Sequence, residues 1–148
     1  MLGESLKPLL DCGAKVIIQN GGDSLSNINE DIDVFSERDT GIYDALNKGI
    51  SKVRTTYFML VHAGDEFIGT SDQVAKIISD LTQQGIDLSL NSQLIGNRRH
   101  SSRLWRPWML HLGAQPPHLP CVYRTKVFKP KNYRLDIPVI ADFDFFKS

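Results

Sequence analysis

The segment from residue 41 to residue 61 limits, more than any other, the folds open to this chain. After Gly41, small or apolar residues recur at helical spacing up to residue 53 and form one stripe along a helix, which Asp39 or Thr40 is expected to cap. Residues 57–61 follow as an uninterrupted apolar run, which is typical of a strand covered on both faces. A helix that leads directly into a buried strand indicates an α/β domain. The stripe consists of Ile42, Ala45, Leu46, Gly49, Ile50 and Val53.

Helix and strand patterns alternate on both sides of this segment. A β-branched run at residues 14–19 ends in a glycine turn, which predicts a strand that leads into a loop. Residues 70–85 carry a second helical pattern, with Thr70 or Ser71 as its cap. A weaker strand pattern covers residues 87–90. This alternation predicts an α/β sandwich with a mostly parallel sheet, in which ligands bind at the carboxyl ends of strands.

Composition narrows the class of protein. A chain of 148 residues has room for one domain with one core. Lys plus Arg and Asp plus Glu number 17 each, so the net charge favours neither nucleic acid nor an anionic membrane. No apolar stretch approaches the roughly 20 residues of a membrane span, and no signal peptide is recognisable, which predicts a cytoplasmic protein. Cys12 and Cys121 show no metal-ligand spacing and are expected to be free thiols.

Two segments of the first half carry candidate site residues. Asp65 follows the predicted strand, where a hard oxygen ligand suits Mn²⁺ or Mg²⁺, and His62 lies close by. An aspartate in this position is also common as a turn or cap residue. Arg38 precedes the helix that begins near residue 41, and a helix N-terminus attracts phosphate oxygens. In the simpler alternative, Asp44 and Lys48 form only an exposed ion pair there.

The second half contributes two more candidates. Asp142 stands between aromatic residues in ADFDFF, which suits a general base beside apolar surface or the cap of an amphipathic helix. Residues 98–108 combine four arginines with two tryptophans. This patch leaves open a nucleic-acid-binding module, which the balanced charge disfavours. It favours instead an anionic acceptor, or the surface of a membrane that carries a lipid-linked acceptor.

Five segments together resemble one known family. In chain order they are NGGDSLSN, SERDTGIYDALNKGI, AGDEF, PHLPCVYRTKVFK and ADFDFF. They are similar to segments of the bacterial family 2 glycosyltransferases of GT-A fold, which build lipopolysaccharide, capsule and other exopolysaccharides. The resemblance covers most of the chain from residue 16 onward and is most specific in SERDTGIYDALNKGI. It implies a GT-A-like nucleotide-diphospho-sugar transferase sandwich, with residues 1–90 as the nucleotide-sugar-binding half and residues 91–148 as the acceptor-side half.

The resemblance also implies an activity and the residues that carry it. An inverting hexosyltransferase moves a sugar from a nucleotide-diphosphate sugar to a saccharide or lipid-linked acceptor, in the cytoplasm or at the periphery of the inner membrane, with no nucleic-acid partner. Asp142 would be the catalytic base, and His118 would lie on the acceptor side. Asp65, with His62, would hold Mn²⁺ or Mg²⁺ at the donor diphosphate. The implied nucleotide-sugar-binding residues are Asn20, Gly21, Arg38, Asp39, Asn47 and Asp65.

Departures from the family pattern keep a second hypothesis open. Family members open with a strand of the type SIIxPTYN at the centre of the sheet, whereas this sequence enters the pattern after that strand. It also ends soon after the segment that contains Asp142. We therefore expect a partial domain that lacks the first strand and the C-terminal part. Around Asp65 the sequence offers one carboxylate where many relatives have several. A non-catalytic remnant of the fold is the alternative.

Overall fold

The computed structural model describes residues 6–22, 25, 28, 30, 32–95, 97–102, 104–116, 121–137 and 140–147. Within these residues the fold is mixed α/β, with five α-helices, one 3₁₀ helix and seven short strands. The helices are α1 (Lys7–Asp11), α2 (Ile42–Lys52), α3 (Ser71–Gln84), α4 (Thr125–Phe128) and α5 (Ala141–Lys147), and the 3₁₀ helix is Pro107–Leu112. The strands are β1 (Val16–Asn20), β2 (Ile32–Ser36), β3 (Tyr57–Met59), β4 (Leu88–Leu90), β5 (Gln93–Ile95), β6 (Arg98–His100) and β7 (Cys121–Arg124).

Helix α3 forms where its sequence pattern predicts. The Thr70 hydroxyl accepts a hydrogen bond from the Gln73 N–H at 3.3 Å, and the Gln73 side chain accepts one from the Thr70 N–H at 3.0 Å. This reciprocal capping satisfies two backbone donors that a helix N-terminus otherwise leaves unpaired. Gly85 ends the helix at φ +66°, a left-handed conformation that glycine adopts without steric cost. Both ends of α3 therefore confirm the prediction from the sequence.

Helix α2 differs from its prediction in two details. Asp39 and Thr40 were the expected caps, but the N-cap is Gly41 and no side chain caps the helix. Instead the Asp44 carboxylate turns back and accepts a hydrogen bond from the Thr40 N–H at 2.9 Å. The predicted apolar stripe also began at Ile42, which is 52% exposed. Helical spacing predicts which face of the helix is buried but not how far along the helix the burial extends. The buried face of α2 begins one residue later, at Tyr43.

The strands form three small sheets in the described part of the chain. Strands β1 and β2 are parallel, and Val16 to Asn20 pair in register with Ile32 to Ser36. In the second sheet β7 lies between β3 and β4 and is antiparallel to both. Strands β5 and β6 form an antiparallel hairpin. Among the described strands, one pairing is thus parallel and three are antiparallel.

The expectation of a mostly parallel sheet is therefore wrong for these strands. It rested on the first ninety residues, where β3 and β4 do run parallel to each other. Residues 121–124 then return to the sheet from the second half of the chain and insert between them in the opposite direction. A strand pattern indicates burial, but strand direction depends on how the chain returns, which local periodicity does not record.

One aromatic core joins the two halves of the chain. Tyr123 of β7 and Phe145 of α5 are both 0% exposed, and they pack with Phe58 of β3 and Ile50 of α2. On its other side α2 lies against β1, where a Cβ at Gly49 would be 3.7 Å from the Gln19 Cβ. Helix α2 consequently contacts both the parallel pair and the antiparallel sheet, and it also packs with α5.

The remaining sequence expectations concern the membrane and the cysteines. Among the described residues, none of the helices has the length and apolar character needed to cross a membrane. Cys12 and Cys121 are free thiols, as expected. Burial raises the pKa of the Cys121 thiol to about 12, so this cysteine is protonated at neutral pH and acts as a small core residue.

Candidate functional site

The carboxyl ends of β1 and β2 lie side by side. Because the two strands are parallel and in register, Asn20 and Ser36 end them at the same edge. The Asn20 Oδ1 accepts a hydrogen bond from the Gly22 N–H at 3.2 Å and shapes the turn that follows β1. Gly21 is in direct contact with the Asp39 carboxylate, and a Cβ on Gly21 would overlap it. A side chain at this position would have to displace the Asp39 carboxylate, so the contact joins the loops that follow the two strands.

Lysines of α2 hold the loop at residues 37–41. The Lys52 Nζ lies 2.8 Å from the Glu37 Oε1 and also donates to the Gln19 Oε1 at 3.2 Å. The Lys48 Nζ donates to the Arg38 carbonyl oxygen at 2.6 Å. The Lys52 hydrogen bond and charge lower the pKa of Glu37. These contacts fix the backbone of the loop while the Arg38 side chain stays exposed at the strand ends.

The ion pair expected between Asp44 and Lys48 is present, at 3.0 Å, but it is less exposed than expected. The two side chains are only 17% and 28% exposed, respectively. The Thr40 N–H, followed by Lys48, lowers the pKa of Asp44. The pair therefore belongs to the network that joins the loop to α2 and is not an isolated surface contact.

Asp142 lies beside the start of α2. The Tyr43 hydroxyl donates a hydrogen bond to the Asp142 Oδ2 at 3.2 Å, across 99 positions of the sequence. Burial, followed by the charge of Asp142, raises the pKa of Tyr43, so its hydroxyl remains a donor at neutral pH. Asp142 is in the first turn of α5, where a negative carboxylate also interacts favourably with the helix dipole. Asp142 is the second residue of α5 and not its N-cap, so the interpretation of this residue as a cap is wrong, and its role as a site carboxylate stays a prediction.

Asn47 fastens the C-terminal segment to α2. Its Nδ2 donates to the Tyr133 carbonyl oxygen at 2.9 Å, and its Oδ1 accepts from the Tyr133 N–H at 2.8 Å. Tyr133 also stacks on Tyr43 at 5.2 Å and on Phe145 at 4.2 Å between ring centroids. Because Phe145 and Asp142 share α5, this clasp helps to hold Asp142 in place. The clasp uses the Oδ1 and one N–H of the Asn47 amide, which leaves its second N–H for another acceptor. The contact of Asn47 with a nucleotide sugar stays a prediction.

Tyr43 and Tyr133 were not among the candidate residues from the sequence. One available signal was the spacing of Tyr43, Asn47 and Ile50, which are four and three residues apart and share one helix face. Tyr133 gave no such signal, because its role depends on contacts with α2. Burial and then the charge of Asp142 raise the pKa of Tyr133 well above its ordinary value.

The predicted metal residues lie in a turn after β3. The Asp65 N–H donates to the His62 carbonyl oxygen at 3.1 Å, and Gly64 has φ +95°. Asp65 is exposed, whereas His62 is half-buried. Among the described residues no three His, Cys, Asp or Glu side chains come together as a metal cluster. The exposed Asp65 suits Mg²⁺ or Mn²⁺ held mainly by water and ligand phosphates, a mode that needs only one or two protein carboxylates.

The last predicted site residue, His118, lies outside the described residues. The structure thus brings Asn20, Gly21, Arg38 and Asp39 to one edge and places Asp142 near the same helix start. No model of a known protein family matches this sequence, and a search of curated proteins finds no match either. A functional assignment therefore depends on the residues and on their geometry.

Proposed function

We propose that this chain is a GT-A-type glycosyltransferase domain that transfers a sugar from a nucleotide-diphosphate sugar to a saccharide or lipid-linked acceptor. The main support is the hydrogen bond between Tyr43 and Asp142. Helix α2 begins directly after the loop at residues 37–41, and this loop touches Gly21 at the end of β1. The hydrogen bond therefore brings the proposed base to the end of the fold where the proposed donor residues lie.

The donor side uses the carboxyl edge of the parallel pair. In open α/β sheets ligands bind outside the carboxyl ends of the strands, and here that edge carries Asn20. The amide of Asn20 has both donor and acceptor groups for a nucleotide base. Arg38 is exposed at this edge, where its guanidinium would pair with a diphosphate oxygen. Asp65 would hold Mn²⁺ or Mg²⁺, which neutralises negative charge on a departing diphosphate.

The chemical step requires one base. The Asp142 carboxylate takes the proton from an acceptor hydroxyl while that oxygen bonds to the anomeric carbon of the donor sugar. The bond from that carbon to the nucleoside diphosphate breaks in the same displacement, so the configuration inverts. Tyr43 orients the carboxylate through Oδ2, and Asn47 supports this arrangement through Tyr133.

Calorimetric titration tests the donor site. We expect UDP or GDP to bind in the presence of Mn²⁺ and to bind more weakly without it. Asp65→Asn is expected to abolish the part of the binding that depends on the metal, because it removes the anionic ligand. Asp33→Asn is the matched control, since Asp33 is exposed near the amino end of β2, away from the carboxyl ends of the strands.

The possible outcomes separate the two hypotheses. Metal-dependent binding that survives in Asp33→Asn and disappears in Asp65→Asn supports the proposal. If a chain that is folded by circular dichroism binds neither nucleotide with or without Mn²⁺, the proposal is overturned in favour of a non-catalytic remnant.

A further inference from the structure

The balanced net charge conceals a separation of charge along the chain. Residues 1–87 hold 7 Lys and Arg against 14 Asp and Glu, whereas residues 88–148 hold 10 against 3. No acidic residue occurs between Asp87 and Asp136, a stretch that contains nine Lys and Arg. A partner that meets this stretch therefore encounters a locally cationic protein, although the whole chain is neutral.

Large apolar side chains are exposed within the same stretch. Leu104 is 85% exposed, Leu112 75% and Trp108 59%. On the adjoining hairpin, Leu94 and Ile95 are also more than half exposed. Single exposed apolar residues are normal on a protein surface, but three large ones within nine positions of the chain, Leu104 to Leu112, make this segment a candidate interaction site.

The segment at residues 102–114, which carries these exposed side chains, is held in shape by two hydrogen bonds. The Trp105 indole Nε1 donates to the Ala114 carbonyl oxygen at 3.0 Å and closes a loop around the 3₁₀ helix. The Ser102 hydroxyl donates to the Asn91 carbonyl oxygen at 2.8 Å and ties this loop to the end of β4. Of the two tryptophans, Trp105 is thus half-buried and hydrogen-bonded, whereas Trp108 faces solvent. The outward position of Trp108 is a feature of the fold.

We propose that this part of the chain is a docking surface for an anionic lipid bilayer. The surface consists of Arg98, Arg99, Leu104, Arg106, Trp108 and Leu112, all of which are exposed. Tryptophan and leucine insert at the boundary between headgroups and acyl chains, and basic side chains next to them contact lipid phosphates. The proposal goes beyond the glycosyltransferase function and does not depend on it.

The chemistry of the surface favours lipid over nucleic acid. Proteins that bind single strands stack bases on several aromatic side chains. Trp108 is the only exposed Trp, Tyr or Phe among the described residues from 94 to 112, because Trp105 is turned inward. Leu104 and Leu112 gain nothing from contact with phosphates or sugars, whereas a bilayer removes them from water.

Sedimentation of the full chain with lipid vesicles tests the proposal. We expect binding to vesicles in which about a third of the phosphatidylcholine is replaced by phosphatidylglycerol, and little binding to phosphatidylcholine alone. The variant Leu104→Ala, Trp108→Ala, Leu112→Ala should bind about tenfold more weakly, since it removes the inserted side chains. Its control changes three exposed apolar residues elsewhere to alanine: Ile68, Leu135 and Ile140.

A second pair of variants tests the charges. Changing Arg98, Arg99 and Arg106 to glutamine should abolish the preference for anionic vesicles, whereas the same change at Lys7, Lys15 and Lys76 should preserve it. No vesicle binding by the wild-type chain, or equal loss in a variant and its control, overturns the proposal. Salt-dependent binding to an oligonucleotide without vesicle binding also overturns it, in favour of a nucleic-acid partner.

Discussion

In residues 36–52 most polar side chains have a partner within the chain, whereas in residues 98–112 exposed arginines and large apolar side chains face solvent. The first segment looked like the functional motif because it contains SERDTGIYDALNKGI, the most specific part of the family resemblance. In the structure many of those residues join α2 to the strand-end loop and to α5. The second segment has a weaker pattern but exposes more groups to a partner. A specific polar motif can thus encode architecture as well as a site.

The largest expected effect comes from Asn47→Ala in the first segment. The substitution removes both hydrogen bonds to the backbone of Tyr133, a residue that is only 2% exposed. The N–H and C=O of Tyr133 are then buried without these partners. We expect a loss of about 3 kcal/mol in the free energy of unfolding, measured by urea titration. Asn97→Ala, at an exposed position next to β6, should change it by less than about 0.5 kcal/mol. Equal effects would remove the contrast between the segments.

A smaller effect is expected from Tyr43→Phe. This change removes the hydrogen bond to Asp142 but keeps the ring that stacks on Tyr133. We expect a loss of about 1 kcal/mol in the free energy of unfolding, because the hydroxyl bonds a carboxylate at a long distance. Tyr133→Phe is the matched control, since its buried hydroxyl has no hydrogen-bond partner among the described residues. The control should be neutral or slightly stabilising, and a larger loss in Tyr133→Phe than in Tyr43→Phe would contradict this view of the cluster.

The smallest expected effect is the pH dependence that Glu37 and Asp44 give to the free energy of unfolding. The folded protein lowers the pKa of Glu37 and Asp44 from ordinary values of 4.5 and 3.8. Their contribution to stability is therefore complete above those values and is lost as the pH falls through the lower folded values. Urea midpoints measured from about pH 7 to pH 3 should fall less steeply in Glu37→Gln than in the wild type. Glu66→Gln, at an exposed position after β3, is the control, and its urea midpoints should fall as steeply as those of the wild type. If the two variants have the same slope, the ion pair between Lys52 and Glu37 does not contribute to the pH dependence of stability.

Several local elements were predictable from the sequence. The capping box at Thr70, the end of α3 at Gly85 and the strands at β1 and β3 depend on neighbouring residues, which periodicity and cap chemistry record. Contacts in the candidate site were less predictable. The meeting of Gly21 with Asp39 required the strand order, and the role of Tyr133 required the position of α2. The metal role of Asp65 and the acceptor role of His118 stay predictions.

The sequence by itself determined where α2, α3, β1, β3 and β4 form, because hydrophobic spacing and capping act over a few residues. It also determined the separation of charge between the two halves. Only the tertiary structure decided the direction of β7, the exposure of Ile42 and Trp108, and the hydrogen bond between Tyr43 and Asp142. Each of these depends on which distant surfaces pack together, and the free energy of that packing comes from contacts that no local pattern contains.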